Sequence, residues 1–532
     1  MLSCTPIPIT PKADNMSAID SIKIRMYRHG FGDCFLLRFY SGTSLKFKML
    51  IDCGLKLNDK VTGVPIGDVV KDIIKETSVK KGNKTVPHLD ALVVTHEHWD
   101  HVSAFKPEHA LFDTFDIDKI WMAWTENPKD EEAKAINAHL KDGIIALGYA
   151  AKKIKANTAN KTKNGFFRNQ YNGNELFKAR QDFNGALQGV AEFFGPLGTV
   201  KKLGATTTSP SGIKVKDQYK ISIETQKALD HIKSKLAKGK SGIKYCLPGS
   251  IIDNMSNLPG IRIYVLGPPK SALLNQEDPS SGANKEVYFG QQSSMAGFVK
   301  GLIKLAGMDP GFDDGSPFAK ISPVNTAAAR RITSYYKSTY FNTTEKWRMI
   351  EDDWLDNAGA LALQMDDETN NTSLVLAIEM IGADKVLLFP GDAQVGNWLS
   401  WHKHTWKVKD KDGKKVDVNA TKLLNQTVFY KAGHHASHNA TLNTLGLELM
   451  THEDLVTFVP EKEGQYNGIP FSPLLTRLNE KCKGRVLVSA DKNFKAEDTL
   501  NTKPDELSTH EWNDFKNNIV CTKLFIEYTV KA

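Results

Sequence analysis

The sequence predicts an α/β protein made of one large core interrupted by two long insertions. Three observations carry this. Strand-like patterns fall in two blocks, about 20–125 and 260–530, and the stretches between them carry little strand signal. Helical apolar spacing intervenes between strands instead of forming a block of its own. A cluster of histidines and an aspartate stands at the mouth of one apolar strand.

Taken in order, residues 1–19 read as a polar, proline-containing lead-in and 20–127 as the first part of the core. Ile22, Ile24 and Met26 alternate as a strand, and the chain turns at His29-Gly30-Phe31-Gly32-Asp33. A second strand follows at Phe35–Phe39, and a third at Lys48–Ile51 runs into Asp52-Cys53-Gly54. Asp68–Glu76 has helical spacing, and Leu89–Val94 is an apolar strand entered after a proline. Residues 128–255 form the first expected insertion, opening on a helical pattern at Pro128–Lys155. A core strand lies in 256–270, the second insertion covers 271–358, and 359–532 completes the core. Its strands are expected at Ser373–Glu379, Lys385–Phe389, Thr427–Lys431, Leu455–Val459, Arg485–Val488 and Lys523–Val530, with a helix at Pro473–Lys481.

Composition narrows the class. At 532 residues with 41% hydrophobic and 24% charged, the chain is in the ordinary globular range. Apolar runs such as Leu374–Ile378 are far below the ~20 residues a membrane helix needs. The opening MLSCTPIPITPK lacks the basic-then-apolar order of a secretory signal, so a cytoplasmic protein without membrane insertion is expected. The six cysteines show no paired spacing, which argues against a disulfide framework or a thiolate zinc site. A net charge of +8 permits a polyanionic partner without requiring one.

The chemistry concentrates in Thr95-His96-Glu97-His98-Trp99-Asp100-His101. His96 and His98 alternate by two, so in extended backbone both project to one side and can grip one ion. Asp100 and His101 lie past a turn and can reach a second ion beside it. Imidazole and carboxylate are what Zn²⁺, Mn²⁺ or Fe accept, with positions left open for water.

At these residues the sequence resembles the metallo-β-lactamase superfamily, whose H-x-H-x-D-H signature is matched by His96, His98, Asp100 and His101. Arg28–Cys34, Asn370–Leu376 and Lys431–Ser437 bring the resemblance closest to the branch holding the hydrolase domain of the DNA-uptake competence protein ComEC. That branch carries V-G-Q-G-D-like, N-x-S-L-V-L, T-G-D and K-x-x-H-H-G-S patterns. This chain departs from them at His29–Phe31 and by Ala436 in place of the glycine. The resemblance implies a four-layer αββα sandwich and two divalent metal ions, Zn²⁺ with Mn²⁺ as the alternative. It implies that Asp52 braces the metal loops, that Asp392 bridges the ions, and that one of His434 and His435 ligates. Adjacent residues on a strand end point apart, which favours His434 as the ligand and His435 toward substrate. A third histidine ligand for the first ion is missing, since no histidine falls between His231 and His402. Asn370 or Asn371 is the implied stand-in, with His29, Asp33 and the run Asp366-Asp367-Glu368 as other candidates. Asn371 and Ser437 are expected as braces for the ligand loops.

Two adjacent ions imply hydrolysis, with a bridging water that loses its proton near neutral pH and attacks in line. Asp100, Asp392 and His435 are the expected catalytic side chains. The branch points to a phosphodiester substrate, in DNA, RNA or a nucleotide. Two other readings stand beside it: a hydrolase of a small ester or phospholipid-type phosphodiester, and a metal-binding interaction module in a multi-protein system, such as bacterial defence, whose insertions bind partners. Lys152, Lys153, Lys155, Lys161, Lys163 and Arg168, beside Phe166 and Phe167, are candidate phosphate-backbone contacts. Trp398, Trp401 and Trp406 read as one helical stripe, Lys407–Lys415 as a mixed-charge hairpin, and His438 as a surface helix residue.

Overall fold

The computed structural model describes residues 18–56, 64–138, 223–237, 242–271, 368–462, 469–490 and 496–532, with short pieces between 140 and 220 and single residues at 274 and 338. It is a mixed α/β protein. Strand β1 (Ser21–Tyr27) pairs antiparallel with β2 (Phe35–Ser41), and β2 pairs antiparallel with β3 (Ser44–Ile51). After helix α1 (Ile66–Thr77), strands β4 (Ala91–Val94) and β5 (Lys119–Ala123) continue the same sheet in parallel. Helix α2 (Glu224–His231) precedes β6 (Gly242–Cys246), which pairs parallel with β5 at the edge.

The second sheet runs β7 (Ile251–Ile252), β8 (Ile261–Gly267), β9 (Val375–Met380) and β10 (Lys385–Phe389) in antiparallel order. Helices α3 (Val395–Trp401) and α4 (Ala420–Asn425) lead to β11 (Thr427–Lys431), then β12 (Val456–Lys462), helix α5 (Ser472–Lys481) and β13 (Val486–Ala490). From β10 onward these strands are parallel. Helix α6 (Thr509–Asn517) then leads to β14 (Ile519–Cys521) and β15 (Phe525–Lys531), and β15 returns to the first sheet beside β1.

Alternation explains the layering. Ile22, Ile24 and Met26 of β1, Phe35, Leu37 and Phe39 of β2, and Met49 and Ile51 of β3 share one apolar layer with Ile261, Ile263, Leu376, Ile378, Leu387, Phe389 and Phe429 of the second sheet. The opposite face of the first sheet buries Leu36, Leu50, Leu92 and Val94 against Val69, Val70 and Ile73 of α1 and Ala228 and Leu229 of α2. The outer face of the second sheet carries Ala377, Leu388 and Tyr430 against Trp398, Trp401, Leu423, Leu424 and Leu474. Each sheet is thus covered on both faces, which accounts for the apolar runs of β4 and of Val375–Ile378 in β9.

Several sequence expectations change. The strand expected over Leu89–Val94 is split at Asp90, whose carboxylate accepts the Lys48 backbone N–H (2.8 Å) and leaves Lys84–Leu89 as a separate strand. The first insertion, expected over 128–255, rejoins the core before its end. Helix α2 packs on the first sheet, β6 is that sheet's edge strand and β7 is an edge of the second, because Ala228, Leu229 and Ile232 supply the apolar cover that β4 and β5 need. Trp398 and Trp401 lie on α3, but Trp406 sits on a strand, Thr405–Lys409, paired with Lys415–Asn419 as a hairpin. Most of the second insertion, residues 166–168 and the six basic candidates at 152–168 lie outside the described residues, as do Asp366 and Asp367. Among the described residues no helix is long and apolar enough to cross a membrane, and the cysteines there are free.

Leu376 is buried between the sheets. Leu376→Ala should lower unfolding free energy by about 2–5 kcal/mol in urea titrations. A cost below ~1 kcal/mol would show that the sheets do not share this core.

Candidate metal centre

The carboxyl ends of the parallel strands in both sheets meet at one edge. Strand β3 delivers Asp52, β4 delivers Thr95 to His101, β10 delivers Asp392 and β11 delivers His434 and His435. The turn before β2 adds Asp33, whose backbone N–H donates to the Asp100 carbonyl (2.9 Å). Asp33, His101, Asp392 and His435 form a buried group whose potential ligand atoms all lie within 4.8 Å of one another, and which could hold a metal ion.

The sequence folds this way for local reasons. Asp52 takes a left-handed conformation (φ 54°), which turns its carboxylate back under the histidine loop. Oδ1 accepts the Thr95 N–H (2.8 Å), and Oδ2 accepts the Thr95 hydroxyl (2.6 Å) and His101 Nδ1–H (2.8 Å). This fixes the His101 ring with Nε2 facing Asp392 Oδ2 at 3.0 Å. Gly54 packs directly on the backbone of Asp100 and His101, where a Cβ would collide with the main chain.

His96 and His98 do share a side, as their spacing predicts. His96 Nε2 and His98 Nδ1 face each other at 3.0 Å, and Thr95 Oγ1 receives His96 Nδ1–H at 3.0 Å. Asp100 Oδ2 lies 3.1 Å from His435 Nε2, and Asp392 Oδ2 lies 3.7 Å from the same nitrogen. His435 Nδ1–H donates to the Pro460 carbonyl, which fixes that ring as Asp52 fixes His101.

Of the adjacent histidines, His435 rather than His434 is the one inside the cluster. The strand-end argument does not apply, because His434, His435 and Ala436 are all left-handed (φ 41°, 52° and 62°). His434 instead turns toward Ser437 Oγ (2.8 Å) and Asn370 Nδ2 (3.4 Å). Asn371 acts as a brace: its Oδ1 accepts the N–H groups of Gln394 (3.2 Å) and Asn397 (3.3 Å) at the start of α3. Ser437 likewise holds His434. His29 Nε2 donates to the Gly54 carbonyl (2.6 Å), and His438 lies in a turn instead of on a helix.

Sequence reading missed Lys431 and the aromatic cover of His98. The Lys431 ammonium lies 2.6 Å from Asp33 Oδ2 and 2.9 Å from Asp392 Oδ1. Phe193 and Phe194, from within the first expected insertion, place their rings 5.3 and 5.4 Å from that of His98. On the other flank Thr225 of α2 donates to Glu97 Oε1 (3.1 Å). No spacing signal linked these residues to the histidine motif, whereas Lys431 stood three positions before His434 in the motif that was read.

Electrostatics suit cation binding. Burial pulls His96 well below the usual histidine value, His98 down to about 3 and His434 to about 4, so all three offer neutral nitrogens. Burial opposes charge at His101 too, but Asp392, Asp33 and Asp100 outweigh it and hold its pKa well above the ordinary value. Burial likewise opposes ionisation of Asp392, and Lys431, His101 and His435 overcome it to keep the carboxylate ionised. Asp33 Oδ1 and Asp100 Oδ1 are buried without a hydrogen-bond partner among the described residues. Such oxygens are costly in a folded protein and fit a site completed by a cation. Compared with known proteins, the chain matches no family model and no curated protein.

Two outcomes test this local design. Asp52→Ala should weaken divalent-ion affinity by about 10–100-fold in calorimetric titrations, since it frees both the Thr95 loop and the His101 ring. Ala436→Gly should raise thermal stability, by roughly 1 kcal/mol, because the left-handed position then loses its Cβ penalty; no gain would mean the strain is absent.

Proposed function

We propose that the protein is a metal-dependent hydrolase of the metallo-β-lactamase fold, acting on a phosphodiester of nucleic acid or a nucleotide. The observation that carries the reading is the convergence of Asp100, His101, Asp392 and His435, drawn from both sheets, with ring nitrogens and carboxylate oxygens 3.0–3.7 Å apart. Support comes from the order of the layers, helix, sheet, sheet, helix, and from the position of every motif residue at one strand-end edge. The substrate class rests on the resemblance of the Arg28–Cys34, Asn370–Leu376 and Lys431–Ser437 segments to the competence-protein branch.

The donor set fits two divalent ions. His96 and His98 would hold one, Asp100, His101 and His435 the other, and Asp392 would lie between them. Nitrogen-rich donors favour Zn²⁺, while the missing third histidine favours Mn²⁺. Bound ions would neutralise charge on a phosphoryl oxygen and make a water acidic near neutral pH. The protein's own contributions follow from its contacts. Asp52 and the Pro460 carbonyl orient two imidazoles. Asp392, shared by the two donor groups, would be the carboxylate nearest a water held there. Phe193 and Phe194 exclude water from the His98 side. Burial pulls His434 to about 4, so it is neutral, and Ser437 and Asn370 hold its ring in place; it would not serve as the acid that protonates a leaving group.

Metal analysis with turnover of bis(p-nitrophenyl) phosphate tests the reading. Two ions per chain, activity abolished by chelation and restored by Zn²⁺ or Mn²⁺, and a loss beyond about 100-fold in Asp100→Ala are expected. A chain with neither bound metal nor turnover would sink the hydrolase reading. Cleavage of DNA or RNA, absent for small esters, would fix the substrate class.

A further inference from the structure

Lys431 ends β11 with its side chain 1% exposed and its ammonium between two carboxylates. An ammonium has three N–H donors, and each finds an oxygen: Asp33 Oδ2 at 2.6 Å, Gly391 O at 2.8 Å and Asp392 Oδ1 at 2.9 Å. Asp392 Oδ1 also accepts the His434 backbone N–H at 3.1 Å, so that oxygen is engaged from two directions. Its other oxygen, Oδ2, faces His101 Nε2 at 3.0 Å and His435 Nε2 at 3.7 Å. The two oxygens of one carboxylate are thereby given separate tasks.

We propose that Lys431 is a positioning residue of the metal centre: an internal cation that takes Asp33 as its counter-charge, fills Asp392 Oδ1 and leaves only Oδ2 to divalent ions. This rests on the metal-centre reading above. The physical argument is charge balance in a buried space. An unpaired ammonium is not kept away from water, and neither is an unpaired Asp33. Together they are neutral and leave the field at the ions to Asp100, Asp392 and Asp52. Without Lys431, Asp392 could turn both oxygens to one ion, and Asp33 Oδ2, Asp392 Oδ1 and the Gly391 carbonyl would form an oxygen-lined hollow attractive to a further cation.

The two members of the pair therefore act on metal affinity with opposite sign, which a merely structural role would not produce. Titration of the full-length chain with Mn²⁺ alone, by calorimetry, reads this directly. Lys431→Met should tighten binding by at least about tenfold, since it adds one net negative charge next to the ions. Asp33→Asn should weaken binding by at least about tenfold for the converse reason. The double variant, with the pair neutralised together, should return to within about threefold of the unaltered protein. Its kcat on bis(p-nitrophenyl) phosphate should still fall at least about tenfold with KM little changed, because Asp392 has lost its pin. The double variant also serves where a single variant fails to fold, since it leaves no buried charge unpaired.

Weaker Mn²⁺ binding in both single variants, or unchanged binding in Lys431→Met, overturns the proposal. A double variant as weak as Asp33→Asn alone would make Asp33 a direct ligand and overturn it as well, as would a double variant with full kcat. Failure of the unaltered protein to bind Mn²⁺ or Zn²⁺ would instead remove the metal-centre reading, so the two failures are distinguishable.

Discussion

The Asp52 carboxylate is the contact on which the rest of the site depends. It sits at the end of β3, next to the parallel strand β4, and three donors from the histidine segment converge on it: Thr95 N–H, Thr95 hydroxyl and His101 Nδ1–H. A β-strand end alone would let that segment fray. Asp52 instead makes it a rigid extension of the sheet, because each of its hydrogen bonds is charge-assisted and buried. The His101 ring then has one orientation, and through it Asp392 on the other sheet is met at 3.0 Å. A left-handed backbone at Asp52 is the local cost, and the buried network offsets it.

The same logic of compensated charge extends outward. Arg25 and Arg38 project from the first sheet beneath α1, where Glu527, Asp72 and Glu76 neutralise them. Arg25 meets Asp72 at 2.5 Å and Glu527 at 2.6 Å. Arg262 and Glu379 do the same on the second sheet, 3.0 Å apart. In these networks each of the carboxylates named meets a guanidinium directly. The group around Asp33, His101, Asp392 and His435 differs because carboxylate oxygens on Asp33 and Asp100 have no hydrogen bond among the described residues, with several ring nitrogens beside them. That excess of acceptors is what suits this group to a cation.

Much of this was legible in the sequence. β10 and β11 fall where their apolar runs place them, since buried parallel strands leave a continuous hydrophobic signature. The pairing of His96 with His98 follows from period-two geometry and needs no tertiary information. What escaped depends on backbone conformation or on long-range contact. The choice between His434 and His435 turns on three successive left-handed residues, and Ala436 gave no hint of one because alanine seldom adopts that conformation. Lys431 reads as an ordinary strand-end lysine until Asp33, nearly 400 positions away in the chain, is brought beside it. Helix α2 and β6 lay in a stretch of weak apolar signal, and their membership in the core comes from what they cover rather than from their own pattern.

The separation of His101 from Asp392 by 291 positions then has a simple physical basis. Each residue follows a strand that is anchored by its own sheet, and the sheets are held together by the shared apolar layer, not by the chain that connects them. Loop-closure entropy grows only logarithmically with length, so lengthening the connection costs little once both ends are fixed. Pieces of the connection can even be turned to local use, as Phe193 and Phe194 against His98 and Thr225 against Glu97 illustrate. The long intervening sequence is therefore free to vary in what it contributes around the mouth of the site. The few residues that must meet, Asp52, His101, Asp392, Lys431 and His435, remain fixed by elements that do not move with it.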